Sequence, residues 1–186
     1  MNFPYLSYLQ YNSIVILSYF FLSLFVLLLG MVTKGKSTYF FSSGRGGVFS
    51  LVTYFRMFSH VLGHADWNHF RNNFIYILLV GPMIEEKYGS VILIEMILIT
   101  AFVTALLNIL FSKNDIMGAS GISFMLILLS SLVNIQSGKI PLTFILVVLF
   151  FVVNEIIEGI FKKDNISHFS HLIGAVCGFI YGYYFF

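Results

Sequence analysis

Charge is what this sequence has least of. Only 10% of its 186 residues are Asp, Glu, Lys or Arg, against 59% hydrophobic, and the mean hydropathy is +0.92. Soluble domains carry about 25% charged residues, so a water-soluble globule is excluded and a membrane chain remains. The net charge of +2 comes from ten Lys and Arg scattered through loops, with only Lys162 and Lys163 adjacent. Without a basic stripe there is nothing to attract nucleic acid, which is set aside as a partner. The lone cysteine, Cys177, can close no intrachain disulfide and is read as a packing residue inside the last apolar run. Lys and Arg are also absent from the first twelve residues. The apolar run that follows, Ile14 to Val32, is too long for the core of a cleaved signal, so a retained helix is expected. There is no internal repeat and no low-complexity segment. The length suits one membrane domain over 1–186, with no appended soluble domain expected.

What is there is a series of long apolar runs. A helix rising about 1.5 Å per residue needs about 20 residues to cross about 30 Å of hydrocarbon. Six spans are expected, at approximately 13–32, 69–85, 91–111, 119–136, 140–158 and 168–186. Each must be helical, because lipid leaves no partner for unpaired backbone groups. The expected fold class is therefore an all-α polytopic bundle of six transmembrane helices. The fourth run fades near Gln136 and reaches only about 24 Å. Its first residue, Ser120, is thus expected below the membrane surface, with the turn Gly118-Ala119-Ser120-Gly121 in a cavity, where irregular backbone is tolerated at depth. The long connection 33–68 carries Phe40, Phe41, Phe49, Tyr54, Phe55, Phe58 and Trp67, a density that suits the membrane interface. Tyr5, Tyr8 and Tyr11 suit it too.

All five histidines fall in two places: His60, His64 and His69 near the start of the second span, and His168 and His171 at the start of the sixth. Ionisable groups in membrane spans are costly and usually face a bundle interior or a water-filled cavity; the plain alternative is hydrogen bonding between helices. His171 heads a stripe with Gly174, Gly178 and Gly182, and small residues at this spacing admit a close partner helix. His168 competes for the same role, but His171 is favoured because it heads the stripe. The partner is expected to be the fourth span, where Ser120 is either a simple N-cap or a nucleophile served by an imidazole base. The free N–H groups at that helix start suit a developing oxyanion. His69 and Asn73 share one face of the second span and, with His64, offer neutral donors of the kind found in oxyanion holes.

Taken in order, these residues resemble the rhomboid family of intramembrane serine proteases, over roughly 54–186. His60, His64, His69 and Asn73 reproduce its HxxxHxxxxHxxxN pattern, Gly118 to Gly121 its GxSG motif, and His171, Gly174 and Gly178 its HxxGxxxG helix. The resemblance implies an endopeptidase that cleaves transmembrane segments of membrane-protein substrates within the lipid bilayer. It implies a Ser120–His171 dyad without an acidic third member, and an oxyanion hole of His64, Asn73 and the Ser120 N–H. His60, His69, Gly118, Gly121, Gly174 and Gly178 would be supporting residues, with no metal or organic cofactor. Gly81, Glu85 and Gly89 match a further GxxxExxxG pattern in which Glu85 is structural. The family's first loop typically has a Trp-Arg pair where this chain has Phe55-Arg56.

Two other readings are weighed against this one. A catalytically silent relative that binds membrane clients would usually lack the nucleophile or the base, and both are here. A metal-dependent membrane hydrolase or transporter could use His60 and His64, but HExxH is absent and no carboxylate lies near them at zinc-motif spacing. Glu155 and Glu158 are instead expected to form a polar helix end with Lys162 and Lys163. Lys34, Lys36, Arg45, Arg56, Lys113, Lys162 and Lys163 fall on the side of the first loop, against Lys87 and Lys139 on the other. The positive-inside rule would put that loop in the cytoplasm, whereas the resemblance implies the opposite orientation. The expected location is the cell membrane, as a multi-pass protein.

Overall fold

The computed structural model describes residues 10–46, 50–112, 114–133, 139–161 and 168–184. Tyr5, Tyr8, Phe49, Lys113, Gln136, Lys162 and Lys163, on which parts of the sequence reading rest, lie outside them. The described residues form helices and no strand. We label the longer ones α1 (Ile14–Val32), α2 (Leu51–Ser59), α3 (Trp67–Tyr88), α4 (Ser90–Phe111), α5 (Ser120–Leu132), α6 (Leu142–Phe161) and α7 (His168–Tyr184). Helix α6 contains a π-helical segment, Val148–Val153.

Three of these, α1, α4 and α6, are long and apolar enough to cross a membrane. The other three expected spans differ for visible reasons. Helix α3 opens on the polar run Asn68 to Asn73 and closes on Glu85, Glu86 and Lys87. The described turns of α5 number 13 residues, about 20 Å at helical rise. Those of α7 number 17 and begin with two histidines.

The short helix α5 is the centre of the bundle. Nine of its residues are buried, among them Ile122, Met125, Leu126 and Leu129 at no measurable exposure. It packs most extensively on α7, then on α3, and it also touches α4 and α6. Gly174 and Gly178 make the α5–α7 approach possible, because a Cβ on either would overlap a backbone carbonyl oxygen of α5, that of Gly121 or Met125. The remaining apolar side chains of α1, α4 and α6 turn outward, as lipid-facing surfaces do.

The first connection is more ordered than a plain loop. It contains a 3₁₀ turn, Lys36–Phe41, and the short helix α2. Tyr39, Phe40, Tyr54, Phe55, Phe58 and Trp67 are exposed on it, which fits a segment lying in the interface. Arg56 anchors it without a tryptophan. Its buried guanidinium donates to Ser42 O at 2.5 Å and to Asp115 at 3.2 Å, and lies 4.2 Å over the Tyr39 ring.

Glu85 has the structural role expected of it. Its carboxylate accepts from Ser13 Oγ, Ser90 Oγ and the N–H groups of Val15 and Ile16, at 2.6 to 3.2 Å. It therefore satisfies the orphan donors at the start of α1 and ties that helix to α3. Glu85→Ala strands those buried N–H groups and is expected to lower stability by about 3 kcal/mol, read as a fall in unfolding temperature in detergent micelles. An unchanged transition would show that α1 is held by its apolar packing alone.

Candidate active site

The approach to α5 is built around a glycine. Gly118 has φ +124°, a conformation L side chains rarely adopt, and a Cβ there would stand 2.6 Å from His69 Nε2. The Gly118 N–H donates to His60 O at 2.9 Å, and Ser43 and Ile116 exchange two 2.7 Å backbone bonds just upstream. The turn is thus pinned from two sides before the helix opens at Ser120. On α5 itself, Ser123 Oγ reaches Asn73 O at 3.3 Å and joins this helix to α3.

Ser120 and His171 line one cavity of about 620 Å³, together with His69, Asn73 and Phe124. The serine Oγ and the imidazole make no hydrogen bond to each other here. Asn73 contributes a buried Nδ2 with no hydrogen-bond partner among the described residues. A buried unpaired amide donor is unfavourable by about 1–3 kcal/mol, so it marks a place where something polar is to be received. The first N–H groups of α5 lie at the same end and have no intrahelical acceptor.

The three histidines of the HxxxHxxxxHxxxN pattern fall in different settings, although the His64 and His69 rings meet edge-on at 5.2 Å. His60 and His64 lie before α3, and burial pushes the first down to about 4 and the second to about 3, the neighbouring His69 adding to the second shift. Both rings are neutral at pH 7, with one donor and one acceptor each. Nδ1 of His60 donates to Met57 O at 3.1 Å. Nδ1 of His64 donates to Leu62 O at 3.2 Å, and its Nε2 accepts from Ala119 N at 3.4 Å. With both nitrogens engaged, His64 borders a different cavity beside α1 and does not line the one that holds Ser120. His69 does. The donor role expected of His64 thus falls on a residue outside that cavity, while His69 lies in it.

A carboxylate enters where none was expected. Glu155, read from sequence as part of a polar helix end with Glu158 and the lysines, is buried. Its Oε1 lies 2.5 Å from Nδ1 of His171 and 2.5 Å from Nδ1 of His168. The resemblance implies a base without an acidic member, whereas in the structure this carboxylate lies against His171. The signal was available, since a carboxylate inside an apolar run is itself a flag for a buried site. His171 is further held by Phe124, whose ring stacks on it at 4.5 Å and 7°.

Fold and site together define an integral membrane protein, all helical where it is described, with a cavity among its helices that gathers Ser120, His171, His69 and Asn73. The chain belongs to the rhomboid family, whose Rhomboid domain matches residues 51–186. It is similar to "Rhomboid-like protein 11, chloroplastic" of Arabidopsis thaliana, 26% identical over 132 residues, which cover 63% of this chain and 47% of that protein. It is also similar to "RHOMBOID-like protein 1" of the same plant, 29% identical over 136 residues, covering 70% of this chain and 34% of that one. The chain thus matches about half the length of the first relative and about a third of the second.

Proposed function

We propose that this protein is an intramembrane serine endopeptidase, with Ser120 as nucleophile and His171 as general base. The observation that carries this reading is the single cavity lined by Ser120 and His171, into which Asn73 brings an unpartnered amide donor. In the proposed reaction, Ser120 Oγ attacks a peptide carbonyl while its proton passes to His171 Nε2. Asn73 Nδ2, the Ser120 N–H and His69 receive the developing oxyanion. His171 then protonates the leaving amine, and water in the chamber hydrolyses the acyl-enzyme. His60 and His64 hold the turn before Ser120 through backbone bonds. Gly118, Gly121, Gly174 and Gly178 serve close approach.

The same reading makes 1–186 one multi-pass domain of the cell membrane, with α1, α3, α4, α5, α6 and α7 as its six spans. Its substrates would be transmembrane segments of other membrane proteins, favoured where a helix-breaking stretch opens a peptide bond to attack. The test is to treat the detergent-solubilised protein with a fluorophosphonate and locate the adduct by peptide mass spectrometry. A single adduct on Ser120 is expected. An adduct on another serine, or none, would sink the assignment.

A further inference from the structure

Helix α6 is exposed or half-buried at every residue but one, and that residue is Glu155. Turning a carboxylate inward from a lipid-facing helix is costly, and such a group implies a partner that retains it. The partners are Nδ1 of His168 and Nδ1 of His171, which converge on the same oxygen. The π-helical segment Val148–Val153 ends two residues before Glu155, and wider turns of this kind are frequent at functional sites. It alters the facing of every residue that follows.

A neutral imidazole has one N–H. If Nδ1 of His171 gives its proton to the Glu155 carboxylate, Nε2 is left bare, as a proton acceptor must be. The Phe124 ring lies flat against the same imidazole and holds its plane. We propose that Glu155 is a positioning residue for His171: its carboxylate holds the imidazole in the Nδ1–H tautomer and presents bare Nε2 to Ser120. This rests on the serine-peptidase reading and deepens it from a pair to a trio. During attack the Ser120 Oγ–C bond forms and the Oγ proton moves to Nε2. The carboxylate faces the imidazolium across the Nδ1–H bond without taking its proton, and the Nε2 proton later leaves with the amine. His168, donating to the same oxygen, keeps the carboxylate from swinging out toward lipid.

The three groups also have the makings of a metal site, since their donor atoms lie within 4.8 Å of one another. Donors bound about 2.0–2.1 Å from a tetrahedral zinc stand about 3.3 Å apart. Both oxygen–nitrogen separations here are 2.5 Å, a hydrogen-bond distance, which favours protons between them.

The test measures fluorophosphonate labelling rates of the full chain in detergent for the parent, Glu155→Gln, Glu155→Asp and Glu95→Gln, an exposed carboxylate on α4. Glu155→Gln is expected to slow labelling by about 100-fold or more, Glu155→Asp to recover part of the loss, and Glu95→Gln to match the parent. In parallel, ¹⁵N-histidine spectra of the parent should show His171 with its proton on Nδ1 and none on Nε2. A folded Glu155→Gln variant that labels at the parent rate overturns the inference and leaves the peptidase reading standing. A parent His171 protonated on Nε2 overturns it even if that variant does not fold. A parent that never labels defeats the peptidase reading and this inference with it. Labelling lost to EDTA and restored by zinc chloride would make the trio a metal site and overturn the positioning role.

Discussion

Ser120→Ala and His171→Ala are each expected to lower hydrolysis of a transmembrane reporter peptide in proteoliposomes by about 10⁶-fold, the scale on which a nucleophile or its base fails when either is removed. The double variant should be no worse than either single one, because nucleophile and base act as a unit. A residual rate above water would remain from donors that bind the oxyanion without help from either residue, namely Asn73 Nδ2 and the α5 N–H groups. Stability should separate the two variants. Ser120 is half-buried and its hydroxyl bonds to nothing among the described residues, so its loss should leave the unfolding temperature near that of the parent. His171→Ala removes one of the two donors on buried Glu155 and a ring stacked on Phe124. It should cost about 1–3 kcal/mol, the range for an interaction with a buried charged group. A Ser120→Ala protein that still cleaves the reporter would place the chemistry elsewhere.

What was legible in the sequence is what repeats along one helix. The spacing of Gly174, Gly178 and Gly182 announced a helix that another could approach closely, and α5 meets it there. Glu85 and its flanking glycines were readable as structure for a similar reason. His64 and His69 were harder to tell apart, because the chain between them is not one helix. A 3₁₀ turn over His60–Leu62 gives way to extended backbone at Gly63, and α3 starts afresh with Asp66 Oδ1 capping the His69 N–H at 2.9 Å. Spacing counted across such a break says nothing about facing. Glu155 was missed for a longer-range reason. Its partners lie 13 and 16 residues away on another helix, and the π-helical segment before it upsets any count of 100° per residue. The lysines at 162 and 163 were nearer in sequence and drew the pairing to themselves.

The position where packing and chemistry are least separable is Gly174. A Cβ there would overlap the carbonyl oxygen of Gly121 and stand 2.9 Å from its Cα. Neither atom belongs to a side chain that can swing away, so α5 and α7 must part. Ser120 is the neighbour of Gly121, and His171 lies one turn before Gly174, so the same movement draws nucleophile and base apart. Misplacement by about 1 Å is enough to lower a rate by about 10²-fold, and overpacking of this kind destabilises by about 1–3 kcal/mol. Gly174→Ala is therefore expected to lose at least about 10²-fold in cleavage and several degrees in unfolding temperature. Gly182→Ala is the internal comparison, because its Cβ would meet Leu132 Cδ1 at 2.6 Å, the far end of a flexible side chain three turns from His171. That variant should lose little activity. If both substitutions behaved alike, the glycine stripe would be a general packing feature, and the spacing of Ser120 from His171 would have to be set by other contacts, of which the Phe124 stack and the Glu155 bond are the nearest.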